Sequence, residues 1–527
     1  MKNKITSLLL IIITLFLQLS LSACNMEVKV DPIDDNYRTF YQIFVGSFSD
    51  SNGDGIGDLR GIINRFDYLN DGNINAGNDL GVQGIWLSPI FESPTYHKYD
   101  AADYYKVDEK FGTMDDLKEL IELCHKRNVK IILDLVINHT SSQNDWFLKF
   151  KQARLAGDTE NKYYDYYSCV TDSERLGGCI YAKVGGEWWY ECNFSNEMPE
   201  LNYDNPDVRA DMLSLAKHYL DMGIDGFRFD AVKYIYYSNK SESIEFWKWY
   251  MQELTSYRPD IYCVGECWSA ESEILEYSVA MNCFNFTMSG AEGRVAGAAK
   301  GQNIANFLNY VEKYQDRLQE VNPGGMPMSF LSNHDMDRIA GGFISENNTK
   351  MAANLYLLSP GSPTIYYGEE IGIKGSKGGA HTDANRRLAM LWGDGDTIQN
   401  PEGATYGDRA QIKTTVKDQL RDKESVLRHY SDLIAIRHKY PAIARGDYNA
   451  VTSEMKNFGG FYIEYNGEVL GLFHNTSKEQ ITINLSQLDG LDGHSFAKLC
   501  DSIGAGGAKL NGDKLTIDGQ TSVILGK

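Results

Sequence analysis

The sequence predicts an α/β fold, a (β/α)8 TIM barrel with an inserted domain after the third strand and a C-terminal β-sandwich. Three observations predict it. Short β-rich runs alternate with amphipathic helical segments over roughly 400 residues, the pattern of a parallel sheet closed on itself. About 65 residues separate the third such run from the next helix, where two to six are usual. Beyond Arg445 the helical segments stop and short alternating strands follow.

The runs at residues 39–48, 84–88, 130–137, 225–230, 261–266, 328–331 and 364–367 read as buried strands. Between them, Leu117, Leu120, Ile121 and Cys124 recur at helical spacing behind a capping-box pair, Thr113 and Asp116. Asn205-Pro206 supplies an N-cap and first-turn proline for a helix carrying Val208, Met212, Leu215 and Tyr219, which Gly223 ends. The last barrel helix carries Val426, Tyr430, Leu433 and Ile434. The barrel is thus expected over residues 37–139 and 206–443, the insert over 140–205 and the sandwich over 444–527. Trp188, Trp189 and Tyr190 in the insert are candidates for a stacking surface or for core.

Lys2 and Lys4 precede an apolar stretch at residues 5–21 that ends in Leu21-Ser22-Ala23-Cys24, the layout of a secretory signal. The small residues before Cys24 resemble a bacterial lipobox. That resemblance implies a signal peptide over 1–23, a lipid on Cys24, a tether over 24–36 and an exported protein held to the cell envelope or cell surface. A plain signal peptide or a single membrane anchor remains open, since the run is marginal for a span of about 20 residues. The formal charge of -21, from 51 basic against 72 acidic residues, excludes nucleic acid as a partner. Export permits disulfides, and Cys169 with Cys179 is the first pairing to test; buried free thiols are the alternative, and no CxxC spacing suggests zinc.

Polar residues cluster where barrel strands end, which is where such folds place their chemistry. Asp134, Asn138 and His139 end the third strand, Arg228, Asp230 and Lys233 the fourth, Glu266 and Trp268 the fifth, and Asn333, His334 and Asp335 the seventh. One strand-end Asp is ordinarily a turn or a cap. Four such clusters in barrel order point to a single pocket.

These four segments resemble the signature regions of the α-amylase family of glycoside hydrolases, in the same order. By that resemblance Asp230 is the nucleophile, Glu266 the general acid/base and Asp335 the third carboxylate, which holds substrate hydroxyls. A retaining mechanism needs one ionised and one protonated carboxyl about 5–5.5 Å apart. Arg228, two residues before Asp230, is expected to keep it ionised, and Glu266 to be raised toward an acid. The same resemblance makes His139 and His334 sugar hydrogen-bonders, Tyr99 a stacking platform, Asp100 a polar clamp and Lys233 a leaving-group contact, with His97 a lesser candidate. Arg338 is either a second clamp or a structural ion pair.

Asp50, Asn52, Asp54 and Asp58 alternate around glycines, oxygen donors that suit Ca²⁺. Gly61 stands where an EF-hand needs Glu, so this is another loop type; it resembles a family calcium loop in which Ile56 contributes its carbonyl. A capped turn without metal is the alternative. Ala231 after the nucleophile, the Met198-Pro199-Glu200-Leu201-Asn202 segment and the run from Arg387 to Trp392 resemble a branch between α-amylases and oligo-1,6-glucosidases. The expected function is a monomeric α-amylase cutting internal α-1,4 bonds of starch-like α-glucans and maltooligosaccharides. An exo-acting α-glucosidase or transglycosylase, and a non-catalytic glycan-binding surface protein, are the alternatives.

Overall fold

The computed structural model describes residues 33–73, 79–377, 383–406, 412 and 414–527. The signal stretch and Cys24 lie outside the described residues. The tether was expected to run to residue 36, yet residues 33–36 are already part of the fold. Ile33 is buried, its carbonyl accepts from Gln83 Nε2, and Asp35 pairs with Arg445 at 2.7 Å.

Six parallel strands pair in the order Tyr262–Gly265, Gly226–Phe229, Lys130–Leu135, Gly84–Leu87, Phe40–Ile43 and Thr364–Tyr366. All six are buried along their length except Lys130 at one end, as sheets covered on both faces require. Single bridges close the circle: Gly265 to Cys283, Phe284 to Met328 and Phe330 to Thr364. The predicted run at 328–331 is therefore a barrel position held by bridges alone. The one at residues 283–284 has no apolar run to betray it. The predicted run at 39–48 pairs only as far as Ile43, after which the chain turns through a short 3-10 segment.

The predicted helices form with their caps. Thr113 and Asp116 make a reciprocal capping box on Met114–Lys126, and Asn205 caps Pro206–Met222, which Gly223 ends at φ 111. Val426–Lys439 packs Tyr430, Leu433 and Ile434 inward. The insert holds the helix Asp145–Ala156 and an antiparallel sheet of Cys169–Thr171, Trp188–Glu191 and Tyr181–Gly185. The C-terminal domain pairs five strands, Asp447–Val451, Phe458–Tyr465, Glu468–Asn475, Thr521–Gly526 and Lys498–Gly504, against a three-stranded sheet. Phe458, Phe473, Val523 and Leu525 from one sheet share a core with Leu515 and Ile517 from the other, which is a sandwich.

The eight cysteines from Cys124 to Cys500 are free thiols, so the expected 169–179 disulfide is not formed. Cys169 lies in the strand that pairs with Trp188–Glu191, and burial raises its thiol to about 11.

Candidate active site

Parallel register brings the strand-end groups together. Asp134 sits opposite Arg228 and Leu135 opposite Phe229, so Asp230 and Glu266 follow one step above that layer. Arg228 is fully buried. Its Nη1 donates to Asp134 Oδ1 at 2.8 Å and to Asp230 Oδ1 at 2.7 Å, while Nη2 lies 3.0 Å from Glu266 Oε2 without hydrogen-bond alignment. One guanidinium thus faces three buried carboxyls, and burial limits how far solvent disperses the excess negative charge. Protonating a carboxyl relieves it.

Burial pushes Glu266 up; Arg228 opposes that, and Asp230 and Asp335 add to the rise. Burial also raises Asp230, opposed by the charge of Arg228 and its hydrogen bond. Arg228 therefore acts on Asp230 in the expected direction, but in the substrate-free cavity burial outweighs it. Asp134 is raised to about 7, chiefly by burial, and is further held by Tyr99 Oη at 2.8 Å and Trp86 Nε1 at 3.2 Å.

Asp335 behaves oppositely. Burial would raise it, but His334 and Arg387 more than offset that and hold it well below the usual carboxylate range. Arg387 Nη2 donates to Asp335 Oδ1 at 2.7 Å, and His334 Nε2 lies 2.8 Å from Oδ2. Burial lowers His334; Gln42 Nε2 donates to its Nδ1 at 2.8 Å, and its Nε2 faces Asp335 Oδ2 without hydrogen-bond alignment. The site therefore sets two carboxyls that burial raises, Asp230 and Glu266, beside a third, Asp335, that is held low. They open into a cavity of about 530 Å³, also lined by His97, Tyr99, His139, Phe194, Lys233, Tyr234, Trp268, Arg386 and Arg387. An acid–nucleophile pair facing sugar-sized space can carry out glycosyl transfer.

A family model for the α-amylase catalytic domain matches residues 42–446. The chain belongs to the α-amylase family. It is 36% identical to "Alpha-amylase 3" of Dictyoglomus thermophilum, over 85% of this chain and 86% of that one. It is 31% identical to a "4-alpha-glucanotransferase" of Thermotoga maritima, over 84% and 96%. The solved structure of Eubacterium rectale Amy13B superposes with a TM-score of 0.86 at 34% identity, covering 95% of this chain and 98% of that one. These matches establish an α-amylase-family glycoside hydrolase with the barrel and C-terminal sheet domain described above.

Within that family site, some residues expected from the sequence fall elsewhere. Tyr99 and His139 line the cavity, and burial lowers His139 to about 4; Tyr99 stacks on His334 at 5.1 Å and 8°. His334 is fully buried behind Tyr99, so it positions Asp335 rather than lining the cavity itself. Asp100 does not reach the cavity: it is buried, and its carboxylate accepts from Ser93 Oγ at 2.8 Å and from Thr95. Arg338 is neither clamp nor ion pair. It donates to the carbonyls of Arg386 at 2.9 Å and Tyr367 at 2.7 Å and lies over the Tyr366 and Tyr367 rings. Its neighbours Arg386 and Arg387 take the cavity positions instead. Arg387 heads a segment already marked by its resemblance, and that was the available signal.

Lys233 Nζ donates to Trp268 O at 2.9 Å, tying the ends of the fourth and fifth strands together. Ala231 holds φ 41 and ψ 52, left-handed backbone that costs a non-glycine residue roughly 1–2 kcal/mol, and its N–H donates to Glu266 Oε2 at 3.0 Å. A β-branched residue fits that conformation less well than Ala, which gives the small side chain after Asp230 a local reason. In the insert, Tyr190 is buried, Arg154 lies over Trp188 at 4.6 Å, and Arg175 and Lys183 lie over Trp189 at 4.3 and 4.4 Å. These rings are occupied by cations rather than presented to sugars.

The loop at residues 50–58 folds through successive side-chain-to-backbone turns. Asp50 accepts from the N–H groups of Asn52, Gly53 and Gly55, Asn52 from that of Asp54, and Asp54 from that of Ile56. Asp58 accepts from Ser51 and caps the next helix through Gly61 N–H at 2.6 Å. Among the described residues no three His, Cys, Asp or Glu side chains converge as a metal cluster. The loop's donor chemistry, three carboxylates, an amide and the Ile56 carbonyl, nonetheless fits a hard cation, and Asp54 Oδ2 takes no part in the turns.

Proposed function

We propose that this protein is an α-amylase that hydrolyses internal α-1,4 bonds of starch-like α-glucans with retention. In this reading Asp230 attacks the anomeric carbon as Glu266 gives its proton to the departing glycosidic oxygen. A glycosyl–Asp230 ester forms; water, deprotonated by Glu266, then releases the sugar. Asp335, ionised by His334 and Arg387, accepts hydroxyl hydrogen bonds from the ring being cleaved, with His139 and Tyr99 around it. The observation that carries the reading is the Arg228 node, one guanidinium 2.7 Å from Asp230 and 3.0 Å from Glu266, with both carboxyls lining the same open cavity.

We further propose that Asp50, Asn52, Asp54, Ile56 and Asp58 hold Ca²⁺, which would pin the loop after the first strand, and that a lipid on Cys24 keeps the enzyme at the cell envelope. One assay series tests the reading. Digestion of starch is expected to abolish iodine staining before much reducing sugar appears, whereas glucose alone would mean exo cleavage and lengthened oligosaccharides would mean transfer. No reducing sugar at all would leave only a binding role. Chelation with EDTA is expected to lower Tm by several degrees, with Ca²⁺ but not Mg²⁺ restoring it; an unchanged Tm removes the metal.

A further inference from the structure

One wall of the catalytic cavity is a single thickness of chain, the segment from Thr95 to Tyr99. His97 and Tyr99 face the cavity with Asp230, Glu266 and Asp335. Thr95, Tyr96 and Lys98 line a separate cavity of about 740 Å³ behind it, together with Phe44, Asp108 and Phe111. Within this wall Lys98 holds φ 66. Left-handed backbone suits Gly, Asn or Asp and costs a lysine free energy, so it persists only where the surroundings fix it.

A buried ion pair does the fixing. Lys98 Nζ lies 2.6 Å from Asp108 Oδ2, donates to Ser93 O at 3.1 Å and sits over the Phe111 ring at 5.5 Å. Both Lys98 and Asp108 are buried. Asp108 also accepts from the N–H groups of Ser93 at 3.3 Å and Lys110 at 3.1 Å. Nearby, Ser93 and Thr95 donate to Asp100, and His97 Nδ1 accepts from Tyr99 N–H at 3.1 Å. The wall is thus pinned on both sides of Tyr99, and the pins lie behind it rather than in the catalytic cavity.

Tyr99 gives the turn its consequence. Its hydroxyl donates to Asp134 at 2.8 Å, its ring stacks on His334 at 5.1 Å, and its carbonyl accepts from His139 Nε2 at 3.1 Å. One residue therefore touches the Arg228 node, the histidine beside Asp335 and the histidine of the third strand. It follows Lys98 directly, so a change of φ at 98 redirects all three contacts. We propose that Lys98 is a positioning residue for the glycosidase reaction: its ion pair with Asp108 holds the left-handed turn that sets Tyr99 against the sugar being cleaved. This rests on the glycoside hydrolase reading of the cavity and goes beyond it, since neither Lys98 nor Asp108 lines that cavity.

A double-mutant cycle on the full chain tests it, with wild type, Lys98→Met, Tyr99→Ala and the double variant assayed on maltoheptaose. Urea midpoints fix conditions in which every variant is folded. Met keeps the apolar stem against Phe111 and drops the charge, leaving Asp108 buried without its cation. Lys98→Met is expected to lower kcat about thirtyfold, ~2 kcal/mol, with KM changed less than threefold, because Tyr99 acts on the ring as it distorts. In the Tyr99→Ala background the same substitution is expected to cost less than threefold, since its effect runs through Tyr99. A larger loss in that background, or a Lys98→Met enzyme within fivefold of wild type, overturns the proposal. Should Lys98→Met not fold, Asp108→Asn decides: it is expected to lower kcat about fivefold with KM held, and an unchanged kcat overturns the proposal. If the wild type cleaves no maltoheptaose, the hydrolase reading fails on its own. A crystal structure of Asp108→Asn then reads the positioning directly: a Tyr99 ring displaced from His334 upholds it, and one still stacked there overturns it.

Discussion

Asp230→Asn is expected to lower turnover on α-glucans by about 10⁴-fold or more while leaving the fold intact, as removal of a covalent nucleophile does elsewhere. Asn keeps the shape and can still accept from Arg228 Nη1, now 2.7 Å from Asp230 Oδ1, but it cannot form the glycosyl ester. The stability outcome is equally specific. Asp230, Glu266 and Asp134 share one guanidinium, so neutralising one of them lessens buried repulsion, and Tm is expected to stay or rise. Initial rates and thermal unfolding on the same preparation check both parts. Substantial residual activity would remove Asp230 from the nucleophile's role; lost activity with a collapsed Tm would reassign it to folding.

Arg228→Met carries the largest expected cost in stability, about 3–5 kcal/mol near neutral pH, because it leaves buried carboxyls without their cation. The pH dependence follows from the sign of the shifts. Burial already raises Asp134 to about 7 and raises Asp230 and Glu266 with it, and in each case Arg228 opposes the rise. Without Arg228 the folded state holds these protons more tightly still, while the unfolded chain releases them near pH 4. The folded state then binds more protons than the unfolded one, so stability falls as pH rises from about 4 through the raised values. The variant should be nearest to wild type at pH 4 and farthest from it at pH 8, measured as urea midpoints. A loss of the same size at both pH values would assign the defect to packing against Trp86, 5.2 Å from the guanidinium, rather than to charge.

Much of this site was legible because its chemistry is concentrated at strand ends, where local sequence states both position and residue type. Asp230, Glu266 and Asp335 could be named from runs of apolar residues that stop at a charge. His139 and Lys233 stand at the same strand ends, Tyr99 came from the family resemblance, and all three line the cavity. Asp100 misled because it adjoins a cavity residue in the chain, and Arg338 because it stands three residues after one. Side-chain direction on irregular backbone has no fixed period, so sequence neighbours point apart: Asp100 into Ser93 and Thr95, Arg338 under Tyr366 and Tyr367. Trp188 and Trp189 looked available for the same reason, until cations from other segments proved to lie over them.

By itself the sequence determined the barrel, the insert, the terminal sandwich and the three carboxylates, since alternation, helix caps and strand-end charges are local signals. Only the tertiary structure decided which proton belongs where. Arg228 meets Asp134, Asp230 and Glu266 across three strands, and Arg387 meets Asp335 from 52 residues away. Burial and long-range contact set those charges, and neither is a property of a residue's neighbours in the chain.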